Sequence, residues 1–234
     1  MVNKLLIIAL TVVAAGLGLS YHHSLVQESG ENLVADAYYG RLAHVKDDVE
    51  DGAPLDFVFY FSDEERDYTG VSFNALHAAA SGGNEDVINY LLEQGLDINA
   101  QTPTGWTPLF IAARDGQAEA AKLLIFRGAN LNLQTDLGAT ALLMALTQPY
   151  QTEEDRLSLL VYMLKRGADP NLATNHGLPP LYYAITKQNV QAVEVLLEAG
   201  AQVTLDLLQT ADRLPAGPDR QKITALLQAA SQKS

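Results

Sequence analysis

The chain of 234 residues has no cysteine, a single tryptophan, and only 15 basic side chains against 28 acidic ones. Each scarcity removes a class of function. Without cysteine there is no disulfide framework, no thiolate zinc site, no iron–sulfur cluster, no cysteine nucleophile and no lipobox for lipid attachment. With a formal net charge of −13 the chain lacks the clustered Lys and Arg that phosphate backbones demand, so nucleic acid is not an expected partner. The same deficit argues against polybasic docking on an anionic lipid surface. Catalytic motifs are missing as well: nothing resembles HExxH, a P-loop, GxGxxG after a strand, GxSxG or an EF-hand loop. With no nucleophile and base in a recognisable arrangement, the chain is expected not to be an enzyme. No cofactor, metal or small-molecule substrate is expected either. What is present is apolar: 48% of residues are hydrophobic and 18% charged, ample for a sizeable core and too apolar for a wholly disordered chain.

At the N-terminus, Lys4 precedes a charge-free apolar run from Leu5 to Leu19. Fifteen residues fall short of a helix spanning a bilayer core of roughly 30 Å, and the length suits the hydrophobic region of a signal peptide. Small residues around Gly18 and Ser20 offer a cleavage site without being a clean Ala-x-Ala. Residues 1–24 are therefore expected to be a signal peptide or an uncleaved signal anchor. The acidic remainder would then be exported to a bacterial periplasm, touching membrane only through that segment.

Beyond it, a repeat governs the chain. Leu76, Leu109, Leu142 and Leu181 open similar apolar phrases, spaced by 33, 33 and 39 residues. Gly52, Gly95, Gly128, Gly167 and Gly200 form a second series, and Leu33 stands as far before Gly52 as Leu76 does before Gly95. Periodicity of this kind marks stacked units that cannot bury their own apolar faces. Thr107-Pro108 is a helix opening, and a second helix is expected from Ala118 to Phe126, with Ala121, Leu124 and Ile125 facing inward. Two insertions break the period, one between Gly52 and Leu76 and one between Leu142 and Gly167.

The phrase Gly105-Trp106-Thr107-Pro108-Leu109, continued by Ala112-Ala113 and Gly116 and closed by Gly128-Ala129-Asn130, resembles an ankyrin repeat. The units containing Leu76-His77 and Gly177-Leu178-Pro179-Pro180 resemble it too, the latter with Gln188 in place of the mid-repeat glycine. The resemblance implies an all-α solenoid of helix-turn-helix units with β-hairpin-like fingers. Its expected organisation is a degenerate unit at 28–56, an insertion within 57–70, repeats at about 71–103, 104–136, 137–175 and 176–204, and a cap at 205–232. It implies a protein partner, and the acidic surface suits a basic one. A rival reading is an accessory or immunity factor that caps or protects an enzyme, neutralising a toxin or serving oxidative-stress protection.

In the family the chain resembles, partners meet finger tips and the exposed side of the first helices. On this sequence those positions include Phe73, Trp106, Arg114, Asp115, Leu137, His176 and Leu178, with Trp106 and Arg114 as the strongest candidates. Ser81, Thr147, Thr186 and Lys187 adjoin them. His77 is expected to make a structural hydrogen bond to a neighbouring turn, while His22 and His23 lack a third ligand for a metal. The aromatic run Phe57 to Phe61 is expected to be a strand or a cover over the first helices. The acidic stretch Ser62 to Asp67 reads as a solvated loop, and the insertion at 147–152 reads equally as spacer or contact.

Overall fold

Twelve helices and one β-hairpin make up the described residues, 25–63 and 68–232 of a computed structural model. The expected signal segment, His22, His23 and the centre of the acidic stretch lie outside the described residues. The helices come in pairs: α1 Leu25–Tyr38 with α2 Leu42–Glu50, α3 Ala75–Gly82 with α4 Glu85–Glu93, and α5 Pro108–Arg114 with α6 Ala118–Phe126. They continue as α7 Ala141–Thr147 with α8 Glu153–Lys165, α9 Pro180–Thr186 with α10 Val190–Glu198, and α11 Leu205–Asp212 with α12 Pro218–Ser231. First helices stack on first helices from α1 to α11, and second on second from α2 to α12. Two parallel rows result, each unit touching only its neighbours, as a solenoid requires.

The repeat register explains the core. Leu33, Leu76, Leu109, Leu142 and Leu181 are each at most 1% exposed; the last four stand second in their helices, while Leu33 lies inside the longer α1. Three residues later come Ala79, Ala112, Ala145 and Ala184, all buried, whose small side chains let adjacent helices approach. Thr107, Thr140 and Thr204 cap the helices they precede by accepting a backbone N–H three residues on. Each terminal glycine of the series, from Gly52 to Gly200, has a φ of 89° to 98°, the left-handed turn that ends a second helix. Two side-chain ladders lash the units together. Asn84 donates to the Ala37 and Tyr38 carbonyls, and Gln117 to that of Ser81. Asn132 and Asn171 donate to the Gly167 and Gly200 carbonyls and accept from the backbone of Asp169 and Gln202.

The degenerate first unit departs in its core chemistry. Asp36 holds the position of the buried alanines and is 6% exposed, while Asp48 holds that of Leu91, Leu124, Met163 and Leu196. Asp36 is paired with Arg41 at 2.8 Å and lies 3.4 Å from His44. Burial and the Asp36 charge push Asp48 up to about 6. No described repeat stacks ahead of this unit, so its outward positions tolerate polarity that an internal repeat could not.

Two boundaries differ from expectation. Helix α1 begins at Leu25 rather than 28, because the chain continues in helical register back from Leu33. The first insertion extends to Phe73, as antiparallel strands β1 Phe59–Asp63 and β2 Tyr68–Phe73 with a register shift between Phe61 and Ser62. The other fingers are not strand pairs; they are tight turns closed by bonds such as Thr102 N–H to Trp106 O and Thr135 N–H to Ala139 O. Phe57 packs so closely on Gly30 that a Cβ there would sit 2.3 Å from its ring, so the aromatic run does cover the first helix. The second insertion is also tied down. Tyr150 donates its hydroxyl to the Ala113 carbonyl at 2.7 Å, Arg156 stands over its ring, and burial pushes the phenol up.

Gln188 carries a backbone strain that its equivalents avoid. Its φ is +54° where Gly40, Gly83 and Gly116 occupy the same register at +69° to +75°. A side chain in the left-handed region costs about 1–2 kcal/mol, partly offset by the entropy glycine adds to the unfolded chain. Gln188→Gly is therefore expected to raise stability by about 0.5–1 kcal/mol. A denaturation midpoint unchanged or lowered would show that no strain is held there.

Candidate interaction surface

The first helices end beside the fingers, and the side chains at that junction make the most distinctive cluster. Trp106 lies on the return limb of its finger, not at the tip, because its backbone closes the turn: its N–H donates to Thr102 Oγ1 and its carbonyl accepts from Thr102. The indole is half-buried, with the Phe110 ring centroid at 5.6 Å and that of Phe73 at 6.5 Å. Phe73 likewise is not a finger tip. It ends β2 directly before α3 and stacks on His77 at 5.9 Å.

Over the indole stands Arg114, its guanidinium carbon 4.7 Å from the ring centroid. Asp115 fixes that guanidinium with two contacts, Nε to Oδ1 at 2.6 Å and Nη2 to Oδ2 at 2.8 Å. Ser81, one repeat earlier, donates its hydroxyl to the same carboxylate. Aromatic ring, cation and carboxylate are thus held in order on two successive repeats. A bidentate, ring-stacked arginine keeps its planar fork pre-organised, which lowers the entropy lost when a partner binds. The arrangement suits recognition: the carboxylate that the Ser81 hydroxyl meets is already neutralised by the Arg114 guanidinium. Among the described residues no cluster of three His, Cys, Asp or Glu side chains could hold a metal ion.

The remaining expected positions lie further along. Leu137 is 72% exposed at the tip of its finger, His176 is exposed on the next, and Leu178 is half-buried behind it. The backbone links these tips, Asn175 N–H donating to the Leu137 carbonyl at 3.0 Å. Thr147 and Lys187 have a structural tie, since the Lys187 ammonium caps the end of α7 at the Thr147 carbonyl, 2.6 Å away. Thr186 turns its hydroxyl to the Tyr183 carbonyl of its own helix.

His77 is scaffold, as its position implied. Its Nε2 lies 3.0 Å from the Ala100 carbonyl oxygen and 3.2 Å from that of Trp106, so it bridges to the next finger. Two acceptors facing one nitrogen require the proton on Nε2, leaving Nδ1 to accept from the Asn74 N–H at 3.4 Å. Burial pushes the ring down to about 4, against the smaller opposing effect of those carbonyl bonds.

A family model for ankyrin repeats, in three copies, matches residues 49–135 and 117–206. The chain belongs to the ankyrin-repeat family. A comparison with curated proteins yields no match. The ankyrin match begins at the end of α2, so the unit carrying Asp36 and Asp48 lies almost wholly outside it, in keeping with its altered core. An ankyrin chain is a protein–protein interaction module, and ankyrin modules are generally non-catalytic.

Sequence reasoning missed one pair on this surface. Tyr38 and Tyr39 are 47% and 51% exposed at the end of α1. Counting from Leu33 as from Leu109 puts them in register with Arg114 and Asp115. The signal was available in the register, but this unit has no counterpart of openings such as Thr107-Pro108 or Pro179-Pro180.

Proposed function

We propose that this ankyrin module is non-catalytic, acts in a bacterial cell envelope, and binds its protein partner along the face made by the fingers and the first helices. The observation that carries the reading is the half-exposed Trp106 held between Phe73, Phe110 and Arg114. Trp and Arg dominate binding hot spots because they bury large area at low entropic cost. Such a pair, braced by Asp115 and still open to solvent, is poised to meet a partner. The acidic excess favours a basic partner, and this keeps a second reading in view: an accessory factor that caps a basic enzyme by electrostatic steering.

Partner binding is tested with Trp106→Ala, using the partner captured from envelope extract and identified by mass spectrometry. Affinity is expected to fall by about 2 kcal/mol or more, roughly thirtyfold, with the melting transition nearly unchanged. A variant that melts early, while its folded fraction binds normally, would make the tryptophan scaffold and remove the centre of the face.

Export rests on the charge-free run from Leu5 to Leu19. A reporter that is active only outside the cytoplasm, fused after Ser234, is expected to be active. Soluble full-length protein in the cytoplasm would sink both the signal and the anchor.

A further inference from the structure

North of Trp106 on the same face, helix α1, the hairpin and α3 enclose an apolar cleft of about 340 Å³. Its walls are Phe59 and Phe73 of the hairpin, and its floor includes Val34, Ala35 and Ala78. Tyr38 and Tyr39 stand at the mouth. At the far end of the same stripe of α1 lie Glu28 and Glu31, placed there by helical spacing from Ala35 and Tyr38. Among the described residues no lysine, arginine or histidine lines it. Two arginines stand near it and both are engaged: Arg41 lies over the Tyr39 ring at 4.9 Å and pairs with Asp36, and Arg114 is taken up by Asp115 and the Trp106 ring.

Three features of this cleft bear on what fills it. Its size is at the small end of ligand pockets, about 300–1,000 Å³, and suits one or two large side chains. It is continuous with the proposed interface, for Phe73 both walls it and faces Trp106, and Ser81 both lines it and bonds Asp115. Its aromatic rim is also open to solvent, Tyr38 and Tyr39 being 47% and 51% exposed beside the Phe59 and Phe73 pair. Carboxylates at one end and aromatic rings at the other complement a positive charge beside an apolar group, through Coulomb attraction and cation–π contact.

We propose that the cleft receives an apolar anchor, leucine or aromatic, from a basic segment of the partner protein, with Lys or Arg on either side of the anchor. The proposal rests on the reading of the finger and first-helix face as the interface, and it assigns the N-terminal end of that face its ligand chemistry. The anchor fills the space between Phe59, Phe73 and Ala78, while the flanking cations reach Glu28 on one side and the exposed Tyr38 ring on the other.

The test uses the full chain and four fluorescein-labelled hexapeptides, read by anisotropy at physiological ionic strength. One carries a Leu-Trp pair between two lysine pairs. The second and third flank the same pair with glutamates or serines, and the fourth is hexalysine. The lysine-flanked anchor peptide is expected to bind at least tenfold more tightly than each of the others. Ala35→Trp fills the cleft from a half-exposed helical position without altering charge, and is expected to weaken that binding at least fivefold; Glu28→Lys should do the same. Should Ala35→Trp disturb folding, Tyr38→Ser at the exposed mouth supplies the same readout. Equal binding of hexalysine or of the serine-flanked peptide overturns the proposal, as does full binding by the cleft-filled variant or no binding at all. Loss of partner binding in Trp106→Ala with no effect of Ala35→Trp would keep the wider interface and remove the cleft from it. The opposite pattern would keep the cleft and displace the centre of the face.

Discussion

Leu124→Ala is expected to lower stability by about 2–5 kcal/mol, against a change within roughly 0.5 kcal/mol for Lys122→Ala two residues away. Leu124 is fully buried in the last turn of α6, and α6 is held between α4 and α8 in the second row. The core it belongs to is rich in alanine, Ala113, Ala120 and Ala121 among them, and alanines have little side chain to move into a cavity. The cost should therefore sit in the upper part of the range, because an uncollapsed cavity adds to the lost transfer energy. Lys122, its side chain 24% exposed, offers an i,i+3 ion pair with Glu119, whose own side chain is 67% exposed, and such a pair contributes little. Because each unit contacts only its neighbours, weakening the α6 layer also weakens the coupling between the halves of the stack. Denaturation followed by helical circular dichroism should then broaden or split into two steps. Equal midpoints for the two variants would contradict the assignment of the inward face of α6.

The period of this stack was legible because two markers recur at fixed distance, the leucine of each first helix and the glycine that ends each second. Those positions are dictated by local chemistry, an inward apolar contact and a left-handed backbone turn, so a linear reading captures them. What it missed depends on a side chain reaching a neighbouring repeat. Tyr150 looks like part of a spacer until stacking brings the Ala113 carbonyl within 2.7 Å of its hydroxyl. Asp36 looks like one acid in an acidic chain until the register shows it in an alanine position, balanced by Arg41. The binding candidates divide in the same way. Trp106 and Arg114 were found from residue type and position, but that the one stands over the other, with Asp115 and Ser81 behind, is a property of two repeats in contact. Tyr38 and Tyr39 were hidden differently: they follow the register but sit in a unit whose opening residues have drifted.

The stack should lose about 3 kcal/mol of stability through His77 alone as pH falls from 6.5 to 4. The direction follows from where the proton prefers to be. Folded, the ring is held down at about 4 by burial, whereas in the unfolded chain it titrates at its ordinary value near 6.5. Between those values the unfolded state takes up a proton that the folded state refuses, so the stabilisation is complete above pH 6.5 and drains away toward pH 4. Protonation in place would exchange the Asn74 N–H bond for one to Asn74 Oδ1, 2.7 Å from Nδ1. That exchange does not outweigh a charge placed where the residue is only 3% exposed, with no carboxylate among its hydrogen-bond partners. Asp48 works the other way. Its charged form is disfavoured above about 6, and protonation below that pH relieves the fold, so it offsets part of the loss. The two are separated by substitution. His77→Gln removes the titration and some of the bridge to Ala100 and Trp106, so it should be less stable than the parent at pH 7. The gap should close progressively as pH is lowered to 4, measured by urea denaturation at each pH. A gap that stays constant across that window would mean the ring does not change its protonation between the two states, and the acid sensitivity of the stack would have to come from its carboxylates.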